Sequence, residues 1–266
     1  MIHIVVNDKG GVGKSTVSNH VLSAYLFVKN TRKVKFYEID DENKSILRFK
    51  DSNVLDAALI DTEMIDSFIE NIFYTDEDLI IDVGGNLTAT KFIKNLEEFG
   101  GFAAKAIYYI PLLDSDQDAS NAEKIYNRIR EFDTKSKIVF VLNRCTNRDN
   151  RELVRREFMD FFGEDVLDVP GVYRDKNTDL LMINSSHIYR LAGRLGKTVL
   201  ELSQEDYEEA KNEISIERWN NKDNPMIEKE ASLILFLLKQ SNVAKRLVNG
   251  EYKALFQDLD RITEED

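Results

Sequence analysis

The sequence predicts an α/β fold in which a twisted, mostly parallel sheet carries helices on both faces and a helical extension follows at the C-terminal end. Short, solidly apolar segments alternate with amphipathic segments through roughly the first two-thirds of the 266 residues. Parallel strands buried between helices give this pattern. The last third shows no strand pattern. We therefore expect residues 1–200 to form the core and residues 201–266 to form a helical part packed on it.

Each element is predicted from the spacing of its apolar residues. Six segments are interpreted as strands, the last of them weaker and followed by Pro170: Ile2–Val6, Val34–Ile39, Leu79–Val83, Ala106–Ile110, Ile138–Leu142 and Val166–Val169. Apolar residues at helical spacing predict helices between them, over Ser15–Val28, Thr88–Phe99, Asp118–Phe132 and Arg151–Phe162. From Gln204 to Asp260 we expect two or three helices, the longest beginning near Pro225.

Composition and charge limit the classes of function. The formal net charge is -12, and an acidic surface repels phosphate backbones and anionic lipids, which disfavours permanent, tight nucleic-acid binding. Cys145 is the only cysteine, so this chain alone cannot form an intramolecular disulfide or a cysteine-rich metal site. The N-terminus shows no signal-peptide pattern, and no apolar run is long enough to span a bilayer. A cytoplasmic location is expected.

A glycine-rich loop between the first strand and the first helix predicts a phosphate site. It reads Lys-Gly-Gly-Val-Gly-Lys-Ser-Thr from Lys9 to Thr16. Backbone N–H groups at a helix N-terminus bind anions, and glycines allow phosphate to approach closely. Lys14 stands where a P-loop lysine reaches the β- and γ-phosphates, and Ser15 where a hydroxyl binds Mg²⁺. We predict that the loop binds a nucleotide through Gly10, Gly11, Val12, Gly13, Lys14, Ser15 and Thr16.

Two further strand ends place carboxylates near this loop, because the C-terminal ends of parallel strands share one edge of the sheet. Asp82 ends an apolar run in the form of a Walker B strand, and we predict that it holds Mg²⁺ together with Ser15. Asp40 ends Glu38-Ile39-Asp40, where period-two alternation places both carboxylates on one side. We expect Asp40 to orient water or to help hold Mg²⁺. A solvated acidic turn is the alternative for Asp40.

These segments resemble the ParA/MinD family of P-loop ATPases with a deviant Walker A motif. Asp8 stands where the generic P-loop has its first glycine, and the family reads roughly Lys-Gly-Gly-x-Gly-Lys-Thr/Ser without requiring that glycine. The resemblance covers about residues 1–200. It is closest to plasmid partition and conjugation members of the StbB and TraL kind. Val83-Gly84-Gly85-Asn86 departs from the family, which often has Thr-Pro-Pro there.

The resemblance implies two catalytic roles beyond that of Lys14. Lys9 matches the signature lysine, which reaches across a dimer interface to the partner's nucleotide. A cation supplied in trans in this way stabilises charge on the transferred phosphoryl group. Asp40 corresponds to the residue needed for hydrolysis. The alternative for Lys9 is a solvated loop lysine without such a role.

The resemblance also implies how the base is bound. It places Asn143 against the adenine edge, where an amide can both donate and accept, with Arg144 beside it. Pro170 stands where the family has a loop lining the base. Guanine-specific relatives usually have Asp at the position of Cys145, so adenine is favoured. Asn143 as an ordinary turn residue after a strand is the alternative.

Family members cycle on a surface, usually DNA or a membrane. The acidic C-terminal end, Asp258–Asp266, disfavours membrane anchoring by a basic amphipathic helix. Two basic groups are candidates for nonspecific DNA contact. One spans Arg144–Arg156 and includes Arg148, Arg151 and Arg155; the other spans Arg174–Lys197 and includes Lys176, Arg190 and Arg194. Solvated faces paired with nearby acids are the alternative for both groups.

Three functions follow as hypotheses. The first is an ATPase that forms a homodimer on binding ATP, positions or segregates plasmid or similar DNA, and is reset by hydrolysis to ADP and phosphate, stimulated by an adaptor or other partner protein. The second is a conjugation or secretion accessory ATPase that recruits a protein complex without binding DNA. The third is a small-molecule ligase on the same scaffold. DNA binding separates the first two, and substrate-dependent ATP turnover would reveal the third.

Overall fold

The computed structural model describes residues 1–41, 45–102, 104–173, 178–221 and 224–264. Within them, seven strands form one sheet in the order β3-β2-β4-β1-β5-β6-β7, and all six neighbouring pairs are parallel. The strands are β1 Ile2–Val5, β2 Val34–Ile39, β3 Leu55–Ile60, β4 Leu79–Val83, β5 Ala106–Leu112, β6 Lys137–Cys145 and β7 Asp179–Asn184. The predicted α/β class is confirmed.

A continuous helix follows the glycine loop, with π-helical Val17–Leu22 between α-helical Lys14–Thr16 and Ser23–Asn30. The other helices of the described ranges are Ile65–Phe73, Asn86–Phe99, Asp116–Phe132, Arg151–Glu157, Met159–Phe162, His187–Arg194, Val199–Gln204, Glu208–Asn220, Pro225–Asn249 and Glu251–Thr263. Short 3₁₀ turns form at Ser45–Phe49 and Thr62–Met64. None of these helices has both the length and the apolarity needed to cross a bilayer.

The apolar strands are buried between two hydrophobic clusters, one on each face of the sheet. Ile4 and Ile81 belong to one cluster, and their neighbours Val5 and Ile80 belong to the other. Because successive side chains of a strand point to opposite faces, a strand covered on both sides is apolar throughout. This double burial explains why the central strands could be predicted as solid apolar runs.

The prediction of a strand at Val166–Val169 is wrong. Only an isolated antiparallel bridge joins Glu164 to Val169, and Val166 and Leu167 are 89% and 62% exposed. The sequence analysis also missed both edge strands, β3 and β7. Both strands are only partly buried at the edges of the sheet. Their apolar runs, Ala57–Ile60 and Leu180–Ile183, are four residues long, and a run this short does not distinguish a strand from a buried helix segment.

The described residues 205–221 and 224–264 of the C-terminal third contain three helices, and Pro225 is the first residue of the longest, Pro225–Asn249. The last helix, Glu251–Thr263, buries Tyr252, Leu255, Leu259 and Ile262 in the same cluster as Val5. Residue 200, where the sequence predicts the core to end, lies inside the helix Val199–Gln204. The division into two parts stays a prediction.

Candidate nucleotide-binding site

The glycine loop connects β1 to the first helix, and the side chain of Lys14 folds back across the loop. Lys14 Nζ donates to the carbonyl oxygens of Asn7 and Lys9, each at 3.0 Å. Burial lowers the pKa of Lys14, while the carboxylates of Asp82, Asp40 and Asp8 raise it. The predicted cation therefore lies among the predicted carboxylates. Its contact with nucleotide phosphates stays a prediction.

Three glycines of the site, Gly13, Gly84 and Gly85, are required by the close approach of neighbouring atoms. Gly13 has a φ of 96°, and a Cβ there would overlap the side chain of Asn143. A Cβ on Gly84 would lie 2.9 Å from Asp40 Cγ, and one on Gly85 would lie 3.2 Å from the Asp8 carbonyl oxygen. The Gly84-Gly85 pair thus allows the loop after β4 to lie directly against both the glycine loop and the end of β2.

The predicted Mg²⁺ residues, Ser15 and Asp82, lie together. Asp82 is 4% exposed and accepts a hydrogen bond from Ser18 Oγ at 2.8 Å. Burial raises its pKa to about 7, although hydrogen bonds from Ser18 and Ser15 oppose this. In the part of the chain that the structure describes, no cluster of three or more His, Cys, Asp or Glu side chains could hold a metal. Mg²⁺ needs only one or two carboxylates beside phosphates and waters, so a buried carboxylate beside a hydroxyl fits it.

The two carboxylates that end β2 have different surroundings. Glu38 is 4% exposed and accepts hydrogen bonds from Ser45 Oγ at 2.5 Å and from Ile46 N–H at 3.0 Å. It therefore fixes the 3₁₀ turn Ser45–Phe49, and burial raises its pKa. Asp40 instead lies against Gly84, beside the loop after the Walker B strand. This position is compatible with the predicted role of Asp40 in orienting water.

Lys9 contacts its own chain. Its Nζ lies 2.7 Å from Asp118 Oδ1 and donates to Gln117 Oε1 at 3.3 Å. The first contact is an ion pair without hydrogen-bond geometry. The Asp118 side chain is 3% exposed and also accepts from Ser115 Oγ at 2.8 Å. Lys9 is thus not a freely solvated lysine in this structure, and its role in trans stays a prediction.

A cavity of about 710 Å³ lies beside the glycine loop. Ser15, Thr16, Asn143 and Arg144 line one part of it, and the loop Asn184–His187 after β7 lines another. The two loops meet here because β6 and β7 are neighbours whose C-terminal ends share this edge of the sheet. The cavity can accept the base and ribose of a nucleotide whose phosphates lie on the glycine loop.

Asn143 is 3% exposed and uses part of its hydrogen-bonding capacity inside the protein. Its Nδ2 donates to the Val12 carbonyl oxygen at 3.0 Å, and its Oδ1 accepts from Arg144 N–H at 3.0 Å. One amide hydrogen and one lone pair remain for a base. Arg144 has a φ of 66° at a β-bulge and donates from Nη2 to the Gly11 carbonyl oxygen at 3.3 Å. The bulge directs its side chain over the glycine loop.

Pro170 is not among the residues that line this cavity. The prediction assumed that a strand over Val166–Val169 follows β6 in the sheet, whereas β7 takes that place. The loop Asn184–His187 therefore lies where the base loop was expected. The only local signal in the sequence was Ser186, which caps the helix His187–Arg194 by accepting from Ile188 N–H.

In the first basic group, Arg144–Arg156, two of the five arginines are paired with acids. Arg148 is 7% exposed and pairs with Asp258 at 2.5 Å, and Arg156 pairs with Glu152 at 2.5 Å. Arg155 lies over the ring of Phe162 at 5.2 Å. Arg144, Arg151 and Arg155 are exposed and have no ion pair with a described residue.

The second basic group is only partly available. Lys197 pairs with Glu205, and Arg174 and Lys176 lie outside the described residues. Arg190 and Arg194 are exposed, lie one helical turn apart and line the cavity, joined by Arg48, which the sequence analysis missed. These three arginines have no ion pair with any residue described by the structure.

Residues 3–182 match the CobQ/CobB/MinD/ParA nucleotide binding domain family. Among solved structures, the chain is similar to a proposed plasmid partition protein of Borrelia burgdorferi B31 bound to AMPPNP, with a TM-score of 0.50 and 13% identity over 90% of this chain and 98% of that one. It also matches FlhF complexed with GTP and Mg²⁺, with a TM-score of 0.41 and 16% identity over 69% of this chain and 65% of that one. No curated protein sequence matches the chain.

Proposed function

The chain belongs to the CobQ/CobB/MinD/ParA nucleotide-binding domain family, and from that membership we propose that it is an ATPase that dimerises on binding ATP and positions or segregates plasmid or similar DNA. One observation carries the proposal: Lys9 and Lys14 lie on one glycine loop beside the buried carboxylate of Asp82. The plasmid partition protein with a similar fold, solved with AMPPNP, supports ATP as the ligand and partition as the process.

Each group of residues in the site has its own role. The N–H groups of Gly10–Thr16 and the ammonium of Lys14 bind the phosphates. Ser15 and Asp82 would hold Mg²⁺, which when bound neutralises phosphate charge. Asp40 orients the attacking water. Asn143, Arg144 and the loop Asn184–His187 receive adenine and ribose, and Cys145 in place of a guanine-selecting aspartate favours ATP.

Lys9 connects nucleotide binding to dimerisation. In the single chain its ammonium is held by Asp118. In the dimer it leaves this carboxylate and contacts the nucleotide of the partner subunit, where it stabilises charge on the transferred phosphoryl group. Hydrolysis, stimulated by an adaptor protein, transfers the γ-phosphoryl group to water, and release of the resulting phosphate leaves Lys9 without its anionic partner, so that the subunits can separate. The sub-family of the StbB and TraL kind is part of the same proposal.

For the DNA surface we favour the exposed arginines Arg48, Arg190 and Arg194 over the group at Arg144–Arg156, in which Arg148 and Arg156 are paired with acids. The second candidate function, a conjugation or secretion accessory that recruits proteins without DNA, is favoured by the net charge of -12, which repels a phosphate backbone. In both cases we place the protein in the cytoplasm.

DNA binding by the Asp40→Ala variant, in which the ATP state should accumulate, tests this choice. We expect DNA binding with ATP and not with ADP at fixed moderate salt, because phosphate contacts weaken steeply with salt. Because Arg190 and Arg194 also line the cavity, ATP binding is measured in parallel: replacing both by alanine should remove DNA binding while ATP stays bound, and Arg151→Ala serves as the matched control. ATP-bound dimers that bind no DNA would favour the accessory function.

A further inference from the structure

Polar side chains of the C-terminal helices touch the wall of the nucleotide cavity at three places. Gln240 Oε1 lies 2.9 Å from His187 Nε2, and Glu251 Oε1 accepts from Asn184 N–H at 2.8 Å. The Tyr252 hydroxyl donates to the carbonyl oxygen of His20 at 2.9 Å. His187, Asn184 and His20 all line the cavity. Helices far along the chain from the glycine loop therefore contact the candidate site directly.

Burial shows that these contacts replace water. Gln240 is 6% exposed and Tyr252 is fully buried. Removing such polar groups from water is unfavourable unless they find hydrogen-bond partners inside the protein. For these two side chains, the partners are residues of the cavity wall.

The loop after β7 is held from a second side as well. Asn184 Oδ1 accepts from the N–H of Arg148 at 2.7 Å, and Arg148 pairs with Asp258 of the last helix. Asn184 thus has its backbone N–H bound by Glu251 and its side chain bound by Arg148. The position of this loop depends on the last helix through both contacts.

We propose that Gln240 and Glu251 are positioning residues that hold the loop Asn184–His187 in the arrangement that receives the base and ribose. The C-terminal helices are then part of the nucleotide site rather than a separate partner-binding module. This inference rests on the proposed function, because it takes a nucleotide as the ligand of the cavity. It goes beyond that function by assigning a role to the C-terminal third.

Loss of either contact should weaken only the part of nucleotide binding that comes from the base and the ribose. Glu251→Ala leaves Asn184 N–H without its acceptor, and Gln240→Ala removes the partner of His187. A hydrogen bond of this kind corresponds to about a fivefold change in affinity. The phosphates bind on the glycine loop, which neither residue touches, so a ligand without base and ribose should be unaffected.

The experiment compares Mg²⁺-ATP with Mg²⁺-tripolyphosphate, each in competition with a fluorescent ATP analogue, using the full chain. We expect about fivefold weaker ATP binding for Glu251→Ala and for Gln240→Ala, with unchanged tripolyphosphate binding. Glu251→Gln should restore ATP binding, because its amide oxygen can still accept from Asn184. Gln257→Ala and Lys239→Ala, at exposed positions of the same two helices, are the matched controls.

Several results would overturn the inference. They are ATP affinity at the wild-type level in both alanine variants, equal losses for ATP and tripolyphosphate, or failure of Glu251→Gln to restore binding. Equal losses would indicate a merely structural role, which melting temperatures without ligand would show independently. If the wild-type chain binds no ATP, the proposed function itself fails, and this result is distinct from all of the others.

Discussion

At the scale of single residues, the contact between Lys9 and Asp118 sets a condition on the proposed switch. Asp118 is 3% exposed, so the departure of Lys9 leaves a buried carboxylate without its cation. Such a charge is unfavourable in a low-dielectric environment. In the proposed switch, the single-chain state would therefore be favoured until the nucleotide of a partner subunit binds Lys9 more strongly than Asp118 does.

The first prediction concerns Asp118, since replacing it by asparagine avoids the unpaired buried charge that forms when Lys9 leaves. Asp118→Asn should allow Lys9 to leave more readily, so that ATP-dependent dimers form at about fivefold lower protein concentration, the equivalent of about 1 kcal/mol. Sedimentation over a concentration series with ATP measures it. Asp114→Asn, at an exposed position four residues earlier, is the control. A dimer that forms less readily in Asp118→Asn than in wild type would show that the ion pair does not restrain Lys9.

The second prediction concerns two buried histidines. Burial lowers the pKa of His3 to about 3 and that of His20 to about 4, from an ordinary value of 6.5. As the pH falls from 6.5 towards 4, the unfolded chain binds protons that the folded chain does not, so the free energy of unfolding decreases. Each histidine contributes up to about 1.4 kcal/mol per pH unit in this window.

Urea unfolding of wild type and His3→Gln between pH 6.5 and 4.5 tests this pH dependence of the free energy of unfolding. The glutamine can still bond to the Tyr109 hydroxyl, which lies 3.1 Å from His3 Nδ1, but it does not titrate. The raised pKa of Asp82 acts in the opposite direction, because its contribution to the free energy of unfolding declines as the pH rises towards 7. Wild type and His3→Gln share this contribution, so it does not alter their difference. Identical pH slopes would rule out a neutral, buried His3.

At the scale of elements, the helix Val199–Gln204 is fixed by one side chain. Glu201 is 8% exposed and completes a capping box with Thr198. It also accepts from Ser52 Oγ at 2.8 Å and from Asn53 N–H at 2.6 Å. Glu201 therefore ties this helix to the turn that precedes β3.

The third prediction follows from these bonds. Glu201→Ala leaves several buried donors without an acceptor and should lower the free energy of unfolding by about 3 kcal/mol. Chemical denaturation measures it, with Gln204→Ala, at an exposed position of the same helix, as the control. A loss no larger than that of the control would mean that the turn is held by other contacts.

The elements that could be predicted from sequence are those whose burial is uniform. The five central strands have apolar runs because both of their faces are covered, and Pro225 marks the start of the longest helix. The edge strands β3 and β7 have apolar runs of four residues, Ala57–Ile60 and Leu180–Ile183, and such short runs do not distinguish a strand from a buried helix segment. The run Val166–Val169 looked like a strand but lies exposed, because apolarity alone does not specify a neighbour in the sheet.

At the scale of the whole molecule, the candidate site also contains some residues whose positions could be predicted from sequence and others whose positions could not. The glycine loop, Asp40 and Asp82 could be predicted because strand order and local motif fix their place at one edge of the sheet. The contacts of Lys9 with Asp118, of Arg48 with the cavity and of Glu251 with Asn184 join distant parts of the chain. No local pattern encodes such pairs, so the three-dimensional arrangement was needed to find them.

The central claim is that ATP joins two subunits and that its hydrolysis separates them. A switch from about 1:99 to 99:1 requires roughly 5.5 kcal/mol of differential binding. A nucleotide contacted by Lys14 of one subunit and Lys9 of the other offers contacts that ADP, without the γ-phosphate, cannot provide. The difference in dimerisation free energy between the ATP-bound and the ADP-bound protein decides whether the protein acts as a switch.

The most direct measurement is sedimentation velocity of the Asp40→Ala variant with Mg²⁺ and either ATP or ADP, with bound nucleotide recorded in the same run. We predict a dimer with ATP, a monomer with ADP, and a monomer with both nucleotides when Lys9→Ala is added. A variant that carries bound ATP and remains monomeric would contradict the claim.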